Sequence, residues 1–176
     1  KLIGENITIE NINTDSRALA TGELFLALKG PNFDGHRFLA QVVELGCSAV
    51  IVDHQCQLYI PQIVVTDTHS ALGQIAGYVK EKLAPKTVAI TGSSGKTTVK
   101  EMVAAILSRL GNVLATKGNF NNDIGVPLTL LRLEPEHDFA VVELGANHMG
   151  EIAYTSALVK PDVAIINNIA AAHLEG

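Results

Sequence analysis

Thr87-Val88-Ala89-Ile90-Thr91-Gly92-Ser93-Ser94-Gly95-Lys96-Thr97-Thr98 runs from a short apolar segment through two glycines into a lysine and two threonines. A long amphipathic segment follows, so the order reads strand, glycine loop, helix. Such a loop aims successive backbone N–H groups at an anion, and the helix behind it adds the positive end of its dipole. Gly92 and Gly95 let the backbone approach phosphate oxygens closely. Lys96 can reach β- and γ-phosphates, and the Thr97 hydroxyl can ligate Mg²⁺. The usual pattern has four residues between its first glycine and Gly-Lys. Here Ser93 and Ser94 alone separate Gly92 from Gly95, so the motif is a shortened phosphate loop.

Outward from that loop, residues 85–176 alternate strand and helix, which predicts a parallel sheet covered by helices. Val99, Met102, Val103, Ile106, Leu107 and Leu110 are expected to form one apolar helix stripe. Val113–Ala115, Phe139–Val142 and Val163–Ile166 read as strands, and Pro127 as the start of a helix reaching Leu131. Ligands in such sheets sit beyond the carboxyl ends of the strands. Thr91, Glu143, Asn167 and His173 all fall at such ends. Residues 1–84 read as a small mixed α/β domain. Ile7–Ile9, Leu24–Leu28, Ala49–Val52 and Ile63–Val65 are expected strands, with helices over Phe38–Leu45 and from Thr68 to Leu83. Pro85 marks the boundary.

The chain has 176 residues, 47% of them hydrophobic, and a formal net charge of −5. That composition excludes disorder, and the absence of a Lys/Arg cluster argues against a nucleic-acid surface. No apolar run is long enough for a membrane span. Cys47 and Cys56 lack metal-type spacing and read as free thiols of a reducing compartment. The chain begins at Lys1 and stops at Gly176 in a motif-like stretch, so it is expected to belong to something longer.

Several side chains could carry chemistry. Glu143 ends an apolar strand, where a carboxylate can hold Mg²⁺ against nucleotide phosphates or cap a nearby helix. His173 follows the next strand and is either structural or a ligand of a second metal position. His148 either touches ligand or caps the following helix. Asn119, Asn121 and Asn122 bring amides into one loop on the ligand side, where asparagine also serves turn geometry. Ser16, Arg17 and His36 could bind a phosphate or a base in the first domain. Arg17 suits a diphosphate, yet an ordinary surface arginine would look the same.

Taken together, several segments resemble the Mur ligases. They are Thr14-Asp15-Ser16-Arg17 with Gly22–Gly30, Asp34-Gly35-His36, Ile90–Glu101, Gly118–Pro127, Glu143–Ile152 and Ala172–Gly176. Ser93-Ser94 and Asn119-Phe120-Asn121-Asn122 point to the branch that adds D-alanyl-D-alanine to UDP-N-acetylmuramoyl-tripeptide. The resemblance implies a bacterial cytoplasmic step of peptidoglycan synthesis, with ATP and Mg²⁺ as cofactors. It implies that Gly92, Ser93, Ser94, Gly95, Lys96, Thr97 and Thr98 hold ATP, that Thr97 and Glu143 hold one Mg²⁺, and that Glu143 and His173 help hold a second. It places Asn119, Asn121 and Asn122 toward substrate and Ser16, Arg17 and His36 toward the UDP end. Lys96, Glu143 and His173 would be the catalytic set. The family has three domains, so the 176 residues by themselves are expected not to catalyse ligation. Two alternatives stand beside this: a related ligase adding a single amino acid, and a non-catalytic sugar-nucleotide-binding module. A GTPase is disfavoured because no Asn-Lys-x-Asp occurs.

Overall fold

The computed structural model describes residues 1–30, 32–146 and 148–170. Contacts divide the chain into two compact units, Lys1–Leu72 and Gly73–Gly176. The division falls inside a helix, upstream of the boundary expected at 84/85.

The first unit is built on β1 (Leu2–Ile3), β2 (Ile12–Asn13), β3 (Leu24–Leu26), β6 (Ala49–Val52) and β7 (Gln62–Val64), in the order β1-β7-β6-β3-β2. β1 runs antiparallel to β7 and the other pairs are parallel. A two-stranded hairpin, β4 (Lys29–Gly30) with β5 (Phe33–Asp34), stands apart. β3 and β6 are buried along their whole length, which is why both read as unbroken apolar runs. Phe25, Val50 and Val52 pack with Leu39 and Val42 of α1 (Leu39–Glu44). α1 follows a 3₁₀ turn, Gly35–Phe38, capped by the Asp34 side chain.

The strand expected at Ile7–Ile9 does not form, and Ile7 is exposed. Leu2–Ile3 and Ile12–Asn13 take the outer places instead, because ladder partners rather than local β-propensity choose the edge. Asp67 caps α2 (Thr68–Leu83) by accepting from His69 N at 3.1 Å and Ser70 N at 2.9 Å. Ala84, at φ 48°, ends that helix ahead of Pro85.

The second unit centres on β8 (Lys86–Thr91), β9 (Val113–Ala115), β10 (Phe139–Glu143) and β11 (Val163–Ile166). All pairs are parallel, in the order β11-β8-β10-β9. α3 (Lys96–Leu107), α4 (Gly125–Leu130) and α5 (Glu151–Val159) connect the strands. Alternate strand residues face opposite layers. Ala89, Ala140 and Val142 pack with Val126 and Leu130 of α4 and Val159 of α5, while Ile90 and Val141 pack with Ala104, Val103 and Leu107 of α3. The apolar stripe expected on α3 is therefore rotated. Val99, Val103 and Leu107 face the sheet, but Met102, Ile106 and Leu110 are exposed and Lys100 is buried.

The strand order fixes where a ligand can sit. The chain leaves β8 toward β9 on one side, and leaves β10 toward β11 on the other. β8 and β10 are neighbours, so their carboxyl ends form a topological switch point, the crevice that open parallel sheets use for ligands.

Candidate nucleotide site

At that switch point β8 delivers Thr91 and Gly92, and β10 delivers Glu143, paired in register with Ile90. Gly92 has φ 142° and Gly95 φ 74°, backbone states that side chains rarely tolerate. A Cβ on Gly95 would meet Asn167 Nδ2 at 2.7 Å. The first intrahelical bond of α3 runs from Val99 N to Gly95 O at 3.1 Å, so the N–H groups of Lys96, Thr97 and Thr98 lie ahead of the helical ladder. Lys96 Nζ folds back onto Gly92 O at 2.7 Å. Thr91, Gly92, Ser93, Lys96, Ala146 and Asn168 line a cavity of about 290 Å³ there.

Thr97 Oγ1 donates to Glu143 Oε2 at 2.9 Å, and Asn121 Nδ2 donates to Glu143 Oε1 at 2.8 Å. Glu143 is 2% exposed, and its N–H donates to Thr116 Oγ1 at 3.0 Å. These residues fit a divalent cation. Oxygens 2.9 Å apart have the spacing of two adjacent ligands in an octahedron with bonds of about 2.1 Å. A hard Mg²⁺ also takes hydroxyl and carboxylate oxygens.

The asparagine loop splits by task. Asn121 reaches Glu143, and its carbonyl accepts Gly145 N at 2.7 Å. Asn122 Oδ1 accepts Gly125 N at 2.8 Å, so it holds the start of α4. Asn119 is exposed, and its carbonyl accepts Asn121 N at 2.7 Å. His173 lies outside the described residues. His148 N donates to Glu151 Oε2 at 3.2 Å, ahead of α5.

Sequence reasoning left Asn167 and Asn168 without a task. Ser93 N donates to Asn168 O at 3.1 Å and Ser94 N to Asn168 Oδ1 at 3.0 Å, while Asn167 Nδ2 donates to Ser94 O at 2.8 Å. Two loop amides expected to face an anion are thus engaged by the chain after β11. The tandem asparagine at that strand end was the available signal.

In the first unit Ser16 and Arg17 come together with Thr14, Phe33, Phe38 and Gln41 around a cavity of about 450 Å³. Ser16 is buried, and the Phe33 and Phe38 rings stack with centroids 5.8 Å apart. Arg17 lies at the exposed rim, forked onto Asp15 through Nε at 2.9 Å and Nη2 at 2.8 Å. That guanidinium holds the Asp15 carboxyl down at about 2. His36 does not line this cavity. Its Nδ1 meets Asp34 Oδ1 at 2.7 Å, and its Nε2 accepts from Asp53 N at 3.1 Å. With His54 against Asp53, these side chains gather three metal-type donors. The Nε2 lone pair is already taken, however, and Lys29 Nζ stands 3.3 Å from Asp53 Oδ2, so the cluster closes on itself as a hydrogen-bonded network.

A parallel sheet with a shortened phosphate loop, a Thr–Glu oxygen pair at its switch point and a separate mixed unit earlier in the chain places this protein in the class of phosphate-loop α/β proteins. Residues 90–176 match the profile described as the Mur ligase middle domain, and residues 8–82 match that of the Mur ligase family, catalytic domain. The chain belongs to the Mur ligase family. It is 54% identical over 176 residues to the UDP-N-acetylmuramoyl-tripeptide–D-alanyl-D-alanine ligase of Escherichia coli K12, covering 100% of this chain and 39% of that protein. The ligase of the same name from Haemophilus influenzae is 58% identical, with coverage of 100% and 40%. The crystal structure of MurF from Acinetobacter baumannii superposes with a TM-score of 0.92 at 57% identity, over 94% of this chain and 37% of that one. MurF ligase from Thermotoga maritima, solved in complex with ADP, gives 0.86 at 32% identity, over 93% and 38%. The chain thus spans about two fifths of the length of these relatives. Among the described residues, no helix is long and apolar enough to cross a membrane.

Proposed function

We propose that this chain carries the UDP-substrate unit and the ATP-binding unit of an ATP-dependent ligase that adds D-alanyl-D-alanine to UDP-N-acetylmuramoyl-tripeptide. The reaction belongs to peptidoglycan synthesis in the bacterial cytoplasm. The γ-phosphoryl of ATP passes to the terminal carboxylate of the UDP-linked peptide, giving ADP and an acyl phosphate. The dipeptide amine attacks the acyl carbon, the C–O bond to phosphate breaks, and amide, phosphate and a proton leave. The observation that carries the reading is the Thr97–Glu143 oxygen pair beside the Gly92–Lys96 loop. The names of the relatives supply the substrates, and the ADP complex of the Thermotoga maritima protein supports the nucleotide.

In this reading Lys96 leaves the Gly92 carbonyl for the β- and γ-phosphates. The first turn of α3 presents N–H groups to the same oxygens. Thr97 Oγ1 and Glu143 would hold Mg²⁺, which neutralises charge on the transferring phosphoryl group. Asn121 holds Glu143 from its other oxygen. His173 is proposed to help hold a second cation, and Asn119 and Asn121 to face substrate. Ser16 and Arg17 would take the UDP end at their own cavity, with Phe33 and Phe38 offering an aromatic wall.

Calorimetry with each ligand alone tests this. ATP with Mg²⁺ and UDP-N-acetylmuramoyl-tripeptide should each bind. Lys96→Met should weaken ATP by about tenfold or more, the scale of a hydrogen bond to a charged group, and spare the UDP-peptide. Arg17→Ala should do the converse. UDP-peptide binding with no ATP binding would favour a non-catalytic sugar-nucleotide module instead.

A further inference from the structure

Lys100 is 2% exposed and has no part in the chemistry above. It sits on α3, one turn beyond Lys96, on the face turned to the sheet. Its Nζ donates to Thr116 O at 2.7 Å and pairs with Glu101 Oε1 at 2.6 Å. A buried ammonium is costly, and a neutral side chain of the same length would fill the space without that cost. The bond to Thr116 indicates what the charge does there.

Thr116 directly follows β9 and opens the loop that carries Asn121. Its N–H donates to Val141 O at 3.1 Å, and its Oγ1 accepts Glu143 N at 3.0 Å. One residue therefore connects Lys100 on one side to the backbone of Glu143 on the other. α3 grips Glu143 twice: directly, from Thr97 to the carboxylate, and indirectly, from Lys100 through Thr116. The direct grip uses the same two oxygens that the proposed function assigns to a divalent cation. Once those oxygens turn to a cation, the hydrogen bond between them is gone, and the indirect grip remains as the hydrogen-bonded link from α3 to Glu143, beside the packing of α3 on Ile90 and Val141.

We infer that Lys100 is a positioning residue which, through Thr116, holds Glu143 in place for the divalent cation of the nucleotide site. This rests on the assignment of Thr97 and Glu143 to that cation. The effect should therefore appear in the divalent dependence of nucleotide binding and not in nucleotide binding as such.

The test is ATP affinity of the chain with and without Mg²⁺, the ratio being the divalent gain. In the parent protein the gain should be clear, and Glu143→Gln should abolish it. Lys100→Met should leave metal-free ATP affinity within about twofold while cutting the gain by roughly tenfold, the usual scale for losing an outer partner of a metal ligand. Thr116→Val keeps the carbonyl that Lys100 uses but removes the link to Glu143, and it should lose the gain equally. The double variant should lose no more than either single one, since both break one path. A full gain in either single variant overturns the inference, and Thr116→Val alone decides it if Lys100→Met does not fold. Equal loss with and without Mg²⁺ also overturns it, because a general packing role would do that. No divalent gain in the parent protein, or a gain that survives Glu143→Gln, instead sinks the assignment of the cation to Glu143, and this inference with it.

Discussion

Thr97 and Glu143 are 46 residues apart in the chain, yet their side-chain oxygens stand 2.9 Å apart. The phosphate-loop residues, Glu143 and the position of both at strand ends were legible because glycine, lysine and a strand-terminal carboxylate leave local marks. What Glu143 touches was not legible, since Thr97, Thr116 and Asn121 approach it from other parts of the chain. Asn122 shows the same limit. It sits in the motif with Asn121 but caps α4 instead of facing the site. Gly125 tests how tightly that loop is held. It lies within α4, where alanine usually replaces glycine with a gain. Here a Cβ would lie 2.5 Å from the Phe120 backbone, which has no flexible side chain to give way. Gly125→Ala should therefore destabilise the protein by about 1–3 kcal/mol in urea unfolding. Unchanged or raised stability would mean the loop is looser than its contacts indicate.

At the scale of elements, strand positions in the second unit were readable from short apolar runs, because a parallel sheet buries both faces. Ile7–Ile9 misled because nothing local reports which segment finds a ladder partner. The α3 stripe misled because a long lysine can replace an apolar residue when its ammonium reaches a buried carbonyl, as Lys100 does. The start of β8 is tied to the loop before β11 through Asp162, which accepts from Thr87 N at 2.8 Å and Lys86 Nζ at 3.0 Å. The backbone bond from Thr87, then the Lys86 ammonium, hold its carboxyl below the ordinary 3.8. With the folded value below the unfolded one, the unfolded chain binds more protons between them. The contribution is complete above pH of about 4 and fades as pH falls through the folded value. The urea midpoint of the parent protein should then drop more between pH 5 and 3 than that of Asp162→Asn. Parallel curves would contradict that tie.

On the scale of the whole molecule, the two units carry separate cavities built from their own residues. The contacts divide within α2, while Pro85 punctuates the chain where that helix ends. Ala76, Val79 and Leu83 of that helix pack into the core of the second unit. The most direct measurement is electron–nuclear double resonance on the protein with ATP and Mn²⁺ in place of Mg²⁺. The account predicts a protein-bound Mn²⁺ with coupling to ATP phosphorus, lost in Glu143→Gln and reduced in Thr97→Val. A spectrum matching free Mn²⁺–ATP, or one untouched by Glu143→Gln, would contradict it.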